Sequence, residues 1–306
     1  MMQYYPFCVS LDNDNEDFVL TALLYAAETG DYINLKLLLK ICSVDLNKSN
    51  QSGESALHIA AQNGQLEIIK LLNQHKANMH LTDMNGENAL HFCCRCYNTD
   101  QHKNIVTYLI KHNVFIDSQN KNGETPLHLA SRFGCTELVR ILCEYAANLD
   151  IQDDQSETGL HVACWNEFPE IVKCLCHYGC NVNTKNREGE TALIVACARG
   201  CIDSVRTLIE HKANLNCRDN RRNTALHWAV RRHFSMIALL LINAECNMDL
   251  LDSIIFQNSP TIPFMRDNFR KFSESELGFQ SVFWRFTSTG LSERYEPSFQ
   301  PACLTR

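Results

Sequence analysis

The chain has 306 residues, a formal net charge of −7 and a pI near 5.9, and this acidic balance argues against nucleic acid as a general partner. No apolar run approaches the roughly 20 residues that cross a bilayer. The first residues also lack the basic-then-apolar pattern of a secretory signal. These exclusions predict a cytoplasmic protein without a transmembrane segment.

Residues 1–19 read as a separate acidic lead-in. This segment contains four acidic residues and no Lys or Arg; the acidic residues are Asp12, Asp14, Glu16 and Asp17. We expect either a solvated tail or an acidic approach to the first helix.

From about residue 20, a short phrase of the type Thr-Ala-Leu-His recurs seven times. Its copies begin at Thr21, Ser55, Asn88, Thr125, Thr158, Thr191 and Thr224, at intervals of 34, 33, 37, 33, 33 and 33 residues. Such a fixed period is typical of stacked helical repeats. We expect units beginning near 20, 53, 86, 123, 156, 189 and 222, in one domain spanning residues 20–250.

The residue pattern of each unit predicts a turn, a helix, a short link and a second helix. The first residue of the phrase supplies an N-cap oxygen, and Pro126 occupies a first helical position where its missing N–H costs nothing. The third unit carries four extra residues around 97–102, expected to project as a loop. The fifth and seventh units have Glu167 and His233 where glycine is expected, which predicts less regular turns.

After Asp249 the pattern stops, and residues 251–306 form an aromatic-rich C-terminal tail. A repeat array needs a polar cap at each end, and this tail does not read as one. We expect mostly irregular structure there. Two alternatives stay open for the tail: it folds back over the seventh repeat, or it is a poorly ordered replacement for further repeats. Whether the chain is a complete protein or a partial product also stays open.

The sixteen cysteines mostly replace small buried residues. Cys94, Cys164 and Cys197 stand where the second unit has Ala61, which indicates free thiols and a reducing compartment. The clusters Cys93-Cys94-x-Cys96 and Cys174-x-Cys176-x3-Cys180 lack the paired C-x2-C spacing of a zinc site. We expect neither a metal nor a cofactor.

Catalysis is not predicted. Five histidines share the fourth position of the phrase, which indicates a structural hydrogen bond between repeats rather than an active site. They are His58, His91, His128, His161 and His227. The motifs of nucleotide-binding, kinase, zinc-protease and serine-hydrolase sites are absent from the sequence.

A partner-binding surface is expected on the concave face, where the ends of the first helices meet the turns before each phrase. Tryptophan, phenylalanine and arginine at these positions match the residues enriched in interface hot spots. The candidates are Arg132, Phe133, Trp165, Arg187, Arg199, Arg221, Arg231 and Arg232. Between Lys185 and Arg232 the sequence has ten Lys or Arg against five Asp or Glu. This favours an acidic protein segment or an anionic lipid as the partner, against the alternative of chance clustering.

The phrase and its period closely resemble ankyrin repeats. That resemblance implies an all-α solenoid of about seven helix-turn-helix units with short β-hairpin turns. Residues 180–191, 198–200 and 229–232 further resemble the ankyrin segment of death-associated protein kinase. The kinase motifs and the phosphate-binding loop of that family are missing from the sequence. The resemblance therefore implies only a scaffold or targeting role, with cytoskeletal association.

Ankyrin domains of this kind also resemble substrates of asparaginyl hydroxylases, and Asn183 and Asn216 match the modified position. Two functional hypotheses remain: a protein-binding scaffold, and a non-catalytic part of a signalling kinase. A ubiquitin-ligase adaptor is disfavoured because Pro301-Ala302-Cys303-Leu304 matches its C-terminal box poorly. The oligomeric state stays open.

Overall fold

The computed structural model describes residues 16–41, 44–95 and 100–247, and this part of the chain forms fourteen helices arranged as seven consecutive pairs. The first helices of the pairs are α1 (Glu16–Thr29), α3 (Ala56–Gln62), α5 (Ala89–Arg95), α7 (Pro126–Arg132), α9 (Gly159–Trp165), α11 (Ala192–Arg199) and α13 (Ala225–Arg231). The second helices are α2 (Tyr32–Ile41), α4 (Leu66–Gln74), α6 (Asp100–Lys111), α8 (Thr136–Glu144), α10 (Pro169–His177), α12 (Ile202–Glu210) and α14 (Ser235–Asn243).

The pairs stack in chain order. Each first helix contacts the first helix of the next pair, and each second helix contacts the next second helix. Small residues such as Ala60 and Ala61 let the first helices approach closely, and Ile68, Ile69 and Leu72 of α4 are buried between neighbours. The all-α repeat solenoid predicted from the phrase is therefore confirmed, with its core distributed along the stack.

The phrase starts each first helix by capping it. In the fourth repeat, Thr125 has extended backbone angles and Pro126 is the first residue of α7. The Thr125 backbone N–H donates to His128 Nδ1 at 3.1 Å, and the Thr125 hydroxyl lies 2.9 Å from the same nitrogen. Groups that a helix start leaves unpaired thus find partners within the phrase itself.

The turns before successive phrases are joined into a ladder of backbone hydrogen bonds. The Lys121 N–H donates to Asn85 O at 2.8 Å, and the Asp154 N–H donates to Asn122 O at 3.0 Å. Gly123 has φ +74°, and a Cβ added there would lie 2.9 Å from the Asp154 nitrogen, so both the backbone angle and the close approach favour glycine. Isolated antiparallel bridges join Ser49 to Ser55 and Lys185 to Thr191.

A second ladder runs along the array through side chains. The side-chain oxygen of an Asn or Asp in one repeat accepts the backbone N–H of the residue 31 positions later. The pairs are Asn47 with Asn78, Asp117 with Asn148, Asp150 with Asn181, Asn183 with Asn214, and Asn216 with Asn247, at 2.7–3.0 Å. These five bonds join neighbouring repeats without using the apolar core.

Three local expectations need correction. Residues 100–102, expected in a projecting loop, form the first turn of α6, where Asp100 pairs with Lys103 at 3.0 Å. Glu167 and His233 adopt φ of +61° and +59°, close to the values of the glycines they replace, so their turns keep the regular geometry. In each turn a backbone hydrogen bond accompanies the left-handed conformation: the Glu167 N–H donates to Cys164 O at 3.3 Å, and the His233 N–H donates to Val230 O at 3.0 Å.

The ends of the array are described only in part. Helix α1 begins at Glu16, so residues 16–19 of the expected lead-in are helical. Residues 1–15, 42–43, 96–99 and 248–306 lie outside the described residues, and the expected irregular tail at 251–306 falls among them. The domain limits at 20 and 250 therefore stay predictions.

Candidate partner-binding face

The histidines of the phrase connect neighbouring repeats. His128 Nδ1 faces the Thr125 backbone N–H, which can only donate, so Nδ1 is the acceptor and the ring proton sits on Nε2. Nε2–H then donates to Glu157 O at 2.9 Å. His91 and His161 make the equivalent bonds to Glu124 O at 3.0 Å and Glu190 O at 3.1 Å.

Burial keeps these histidines neutral. Desolvation lowers the pKa of His91 to about 4, because the charged ring would lose its hydration. The same cause lowers the pKa of His58, His128 and His161. His58 bonds Leu81 O at 3.0 Å through its Nε2. Buried, neutral and fully engaged in these bonds, the rings are structural rather than reactive.

The turns before the phrases carry a row of glutamates that sequence reasoning missed. From the second copy of the phrase onward, the residue directly before it is Glu54, Glu87, Glu124, Glu157, Glu190 and finally Asn223. An Asn or Asp four residues earlier caps each turn, as Asn120 Oδ1 does by accepting the Glu124 N–H at 2.9 Å. These glutamates recur at a fixed position relative to the phrase, and this was visible in the sequence. Charged side chains next to a turn are, however, ordinarily expected to be exposed to solvent.

Asn120 joins two of these glutamates across a repeat boundary. Its Nδ2 donates to Glu87 Oε1 at 3.2 Å and to Glu124 Oε2 at 3.1 Å. Arginines at the ends of the first helices complete the network, with Arg95 2.6 Å from Glu87 and Arg132 2.5 Å from Glu124. The glutamates are almost fully buried while the guanidinium groups are half-exposed.

The two carboxylates differ in their electrostatics. Burial raises the pKa of Glu87, against the opposing charge of Arg95. Burial also acts to raise the pKa of Glu124, but the hydrogen bond from Asn120 and the charge of Arg132 outweigh it and leave that pKa lowered. A cleft of about 290 Å3 lies over this network, with Lys121 and Phe133 also among its lining residues.

Further along, Trp165 and Arg199 form a stacked pair across a repeat boundary. The Arg199 guanidinium carbon lies 5.1 Å from the centre of the Trp165 ring. Glu167 also pairs with this arginine, with Oε1 2.8 Å from Arg199 Nη2. The indole is nonetheless 52% exposed, so the ring is fixed in place and available to a partner.

The seventh repeat has a related arrangement around Trp228. Its indole N–H donates to Asp219 Oδ2 at 3.0 Å. The guanidinium groups of Arg231 and Arg232 lie 5.4 and 6.0 Å from its ring centre, and Arg231 also donates to Asn223 Oδ1 at 3.1 Å.

We call the turns before the phrases, together with the ends of the first helices, the tip face. The structure brings Arg132 and Phe133 to the cleft, pairs Trp165 with Arg199 and groups Arg231 with Arg232. Arg187 and Arg221 are exposed in the turns themselves. Asn183 and Asn216, by contrast, belong to the side-chain ladder between repeats.

The described cysteines are free thiols, and most are buried. Burial raises the pKa of Cys164 and raises that of Cys246 to about 11, so these thiols are poor nucleophiles. Within residues 16–41, 44–95 and 100–247, no group of three or more His, Cys, Asp or Glu forms a metal-binding arrangement. None of the helices in these ranges combines the length and apolar character of a membrane span.

Comparison with known proteins gives a consistent family match. The family model described as ankyrin repeats (3 copies) matches residues 8–83, 73–153, 101–186 and 160–252. The ankyrin repeat domain of human ASB11 superposes with a TM-score of 0.63 at 25% identity, covering 74% of this chain and 98% of that domain.

Curated relatives match over shorter stretches. A probable serine/threonine-protein kinase of Dictyostelium discoideum is 31% identical over 128 residues, 42% of this chain and 14% of the kinase. Mouse protein phosphatase 1 regulatory subunit 27 is 33% identical over 100 residues, 33% of this chain and 62% of that protein. The chain thus covers less than two thirds of these relatives.

Proposed function

This chain is a member of the ankyrin-repeat family, and from that premise we propose that it is a non-catalytic scaffold whose tip face binds protein partners. The observation that carries the proposal is the Trp165–Arg199 stack, a half-exposed aromatic ring that the protein holds in one position. An anchor ordered in the free protein loses little entropy on binding.

The chemistry of the tip face suits recognition rather than reaction. Tryptophan and arginine supply large contact areas and planar hydrogen-bond donors, the features typical of interface hot spots. Arg132 and Arg199 are each held by a glutamate, which fixes their direction while leaving their guanidinium groups half-exposed. Phe133 adds an apolar surface that is 37% exposed.

An acidic protein segment is the partner that the charge distribution favours. Arg187, Arg221, Arg222, Arg231 and Arg232 are all exposed within the last two repeats. A carboxylate-rich segment would be attracted to this region at long range and then paired at short range. Anionic lipid is the other candidate from charge alone.

Affinity purification from cell extract tests the proposal. The tip-face variant is Trp165→Ala/Arg199→Glu/Arg232→Glu. The matched control is Tyr178→Ala/Lys173→Glu/Arg206→Glu. It likewise removes one aromatic ring and reverses two positive charges, at exposed residues of α10, its C-cap and α12. We expect the tip-face variant to lose partners that the wild type and the control retain.

Salt dependence tests the acidic character of the partner separately. Raising ionic strength should weaken binding steeply, because exposed charges are screened within about 8 Å at physiological salt. Full retention of partners by the tip-face variant would contradict the binding face. Salt-independent binding would contradict only the acidic partner.

A second candidate is a targeting or regulatory ankyrin portion of a protein kinase resembling death-associated protein kinase. It is favoured by the match to the probable serine/threonine-protein kinase, which extends over 128 residues of this chain. Sequencing both ends of the transcript decides it, since a kinase domain in the same reading frame supports it and flanking stop codons contradict it. Cytoplasmic placement agrees with the free thiols, and cytoskeletal association stays a prediction from the resemblance.

A further inference from the structure

Two cysteines of neighbouring repeats lie against each other on the second helices. Cys143 belongs to α8 in the fourth repeat and Cys174 to α10 in the fifth, and these two helices are in contact. The side chains of the two cysteines are hydrogen-bonded to each other. Both cysteines are free thiols. Two reduced sulfur atoms therefore meet across a repeat boundary.

The stacking of the repeats explains why these two positions meet. Cys143 stands 18 residues after the start of its phrase, and Cys174 stands 16 residues after the start of the next phrase. The same two positions meet between the second and third repeats, once the four-residue insertion is allowed for. There the Asn73 side chain donates to the Tyr108 hydroxyl at 2.9 Å. The contact between the two cysteines thus follows from the repeat register.

The two thiols differ in reactivity. Cys143 is 7% exposed, whereas Cys174 is only partly buried. The hydrogen bond from Cys143 lowers the pKa of Cys174, and the positive charge of Arg140 adds to this effect. Together they outweigh burial and the opposing charges of Glu137 and Glu144. The same hydrogen bond, followed by burial, raises the pKa of Cys143. Because peroxides oxidise thiolates rather than thiols, Cys174 is the more reactive of the two.

A second pair of thiols nearby lacks two of these features. Cys176 and Cys180 are also hydrogen-bonded to each other, but they are only 5% and 9% exposed. They lie four positions apart within the fifth repeat, so a bond between them would not connect two repeats. Cys143 and Cys174 combine a partly exposed sulfur with a contact between repeats.

We propose that Cys143 and Cys174 are a site of reversible oxidation, where a hydroperoxide converts the two thiols to a disulfide between the fourth and fifth repeats. The Cys174 thiolate first attacks one peroxide oxygen, so that an S–O bond forms and the O–O bond breaks. The departing oxygen takes up a proton and leaves as water or an alcohol.

In the second step the Cys143 sulfur attacks the Cys174 sulfur. The S–S bond forms, the S–O bond breaks, and the hydroxyl group leaves as water with the proton that Cys143 loses. With hydrogen peroxide, two thiols and one peroxide give one disulfide and two waters. Each sulfur loses one electron, and each peroxide oxygen gains one.

The disulfide would join residues that are 31 positions apart, and the loop that it closes contains the whole of α9. Closure of such a loop restricts the unfolded chain and also the motion of the fourth repeat against the fifth. This inference does not rest on the tip face, because the oxidation is measured on the protein without a partner.

Peptide mapping of the full-length chain tests the proposal. The reduced protein is treated with hydrogen peroxide near pH 7, its remaining thiols are alkylated, and the monomeric fraction is digested with trypsin without reduction. Cleavage after Lys173 places the two cysteines in separate peptides, residues 141–173 and 174–185. The wild type should give these peptides joined, with the loss of two hydrogen atoms. Fragmentation should place the link at Cys143 and Cys174, and dithiothreitol should release it.

Three variants identify the sulfur atoms. Cys143→Ala and Cys174→Ala should each lower the yield of joined peptides by about tenfold or more. Cys143→Ala should also accumulate sulfenic acid at Cys174, which dimedone captures. Cys180→Ala is the matched control and should keep the wild-type yield, because the equivalent positions in other repeats hold Ala77 and Ala147.

Three outcomes would overturn the proposal. The first is joined peptides that persist in either Cys143→Ala or Cys174→Ala. The second is a wild type in which Cys174 stops at the sulfenic acid, since Cys143 then does not reach it. The third is a wild type in which both cysteines stay reduced. The mapping of the wild type decides the proposal by itself if an alanine variant fails to fold.

Discussion

Asn183 Oδ1 accepts the backbone N–H of Asn214 at 2.7 Å, so a side chain of one repeat satisfies the backbone of the next. Asp117 and Asp150 make the same bond at their own positions. The position therefore requires a side-chain acceptor at a fixed distance from the backbone rather than asparagine itself.

This equivalence predicts different outcomes for two substitutions. Asn183→Ala should lower the free energy of unfolding by about 1 kcal/mol, the usual net value of one hydrogen bond. Asn183→Asp should stay close to wild type because aspartate keeps the acceptor. Urea denaturation followed by circular dichroism measures both, and an Asn183→Ala variant as stable as the wild type would show that this bond contributes nothing.

Replacing a histidine of the phrase should be more costly. In His128→Leu, the Thr125 backbone N–H and the Glu157 carbonyl both lose their partner at a buried site. We expect a loss of about 2 kcal/mol or more. His75→Leu, a change at an exposed histidine outside the phrase, should stay within about 0.5 kcal/mol of wild type. Similar stabilities for the two variants would refute the structural role.

The buried histidines predict acid sensitivity. The unfolded chain binds protons below pH 6.5, whereas folded His91 resists protonation down to its pKa of about 4. Stability is thus fully present above pH 6.5 and falls as the pH drops towards 4, by roughly 3 kcal/mol for His91. Glu87, Glu157 and Glu190, whose pKa values burial raises, act in the opposite direction and offset part of the loss.

Urea denaturation between pH 7.5 and 4 measures this slope. His91→Gln should be less stable than wild type at pH 7.5 and should lose less on acidification, because glutamine does not titrate. His75→Gln makes the same substitution at an exposed histidine and serves as the control. An unchanged slope in His91→Gln would rule out this histidine as a source of the acid sensitivity.

Ser131 and Gly159 are matched in size across the fourth and fifth repeats. A Cβ added to Gly159 would lie 3.2 Å from Ser131 Oγ, which is buried without a hydrogen-bond partner among the described residues. Ser131→Ala should therefore stabilise the protein by about 1 kcal/mol. Gly159→Ala should be more favourable in that background than in the wild type, by about 0.5–1 kcal/mol. Strictly additive free energies of unfolding would exclude the steric coupling.

Hydroxylation of Asn183 and Asn216 is a separate prediction from the resemblance. Both side chains are exposed, yet each Oδ1 accepts a backbone N–H from the next repeat. The modifying enzyme would need that bond to open, so modification should be incomplete in the stable protein. Intact mass after co-expression with an asparaginyl hydroxylase should show one or two added oxygen atoms, absent in Asn183→Ala/Asn216→Ala. An unchanged mass would reject the hypothesis.

Much of the fold was predictable because each structural repeat has the same pattern of residues, so the repeat period is visible in the sequence. The phrase located the starts of the first helices at Thr125 and its equivalents, and its fixed phase identified His91, His128 and His161 as structural links. The free, buried state of Cys94 and Cys164 also followed, since both stand at alanine positions.

Other features were not predictable from local pattern. Residues 100–102 extended a helix rather than a loop, because Asp100 is favourable at a helix N-terminus and pairs with Lys103. Glu167 and His233 replaced glycine without disturbing their turns. In both cases the contacts of the folded repeat outweighed a local preference.

By itself, the sequence determined the number and phase of the repeats, the helix starts and the residues that fill the stack, since each depends on neighbours along one chain segment. Only the tertiary structure decided which partners the polar side chains found. Asn120 joins Glu87 to Glu124, and Arg199 stacks on Trp165, across about 33 residues of chain. Such pairings arise because stacking sets equivalent positions of adjacent repeats side by side, at distances that no local pattern specifies.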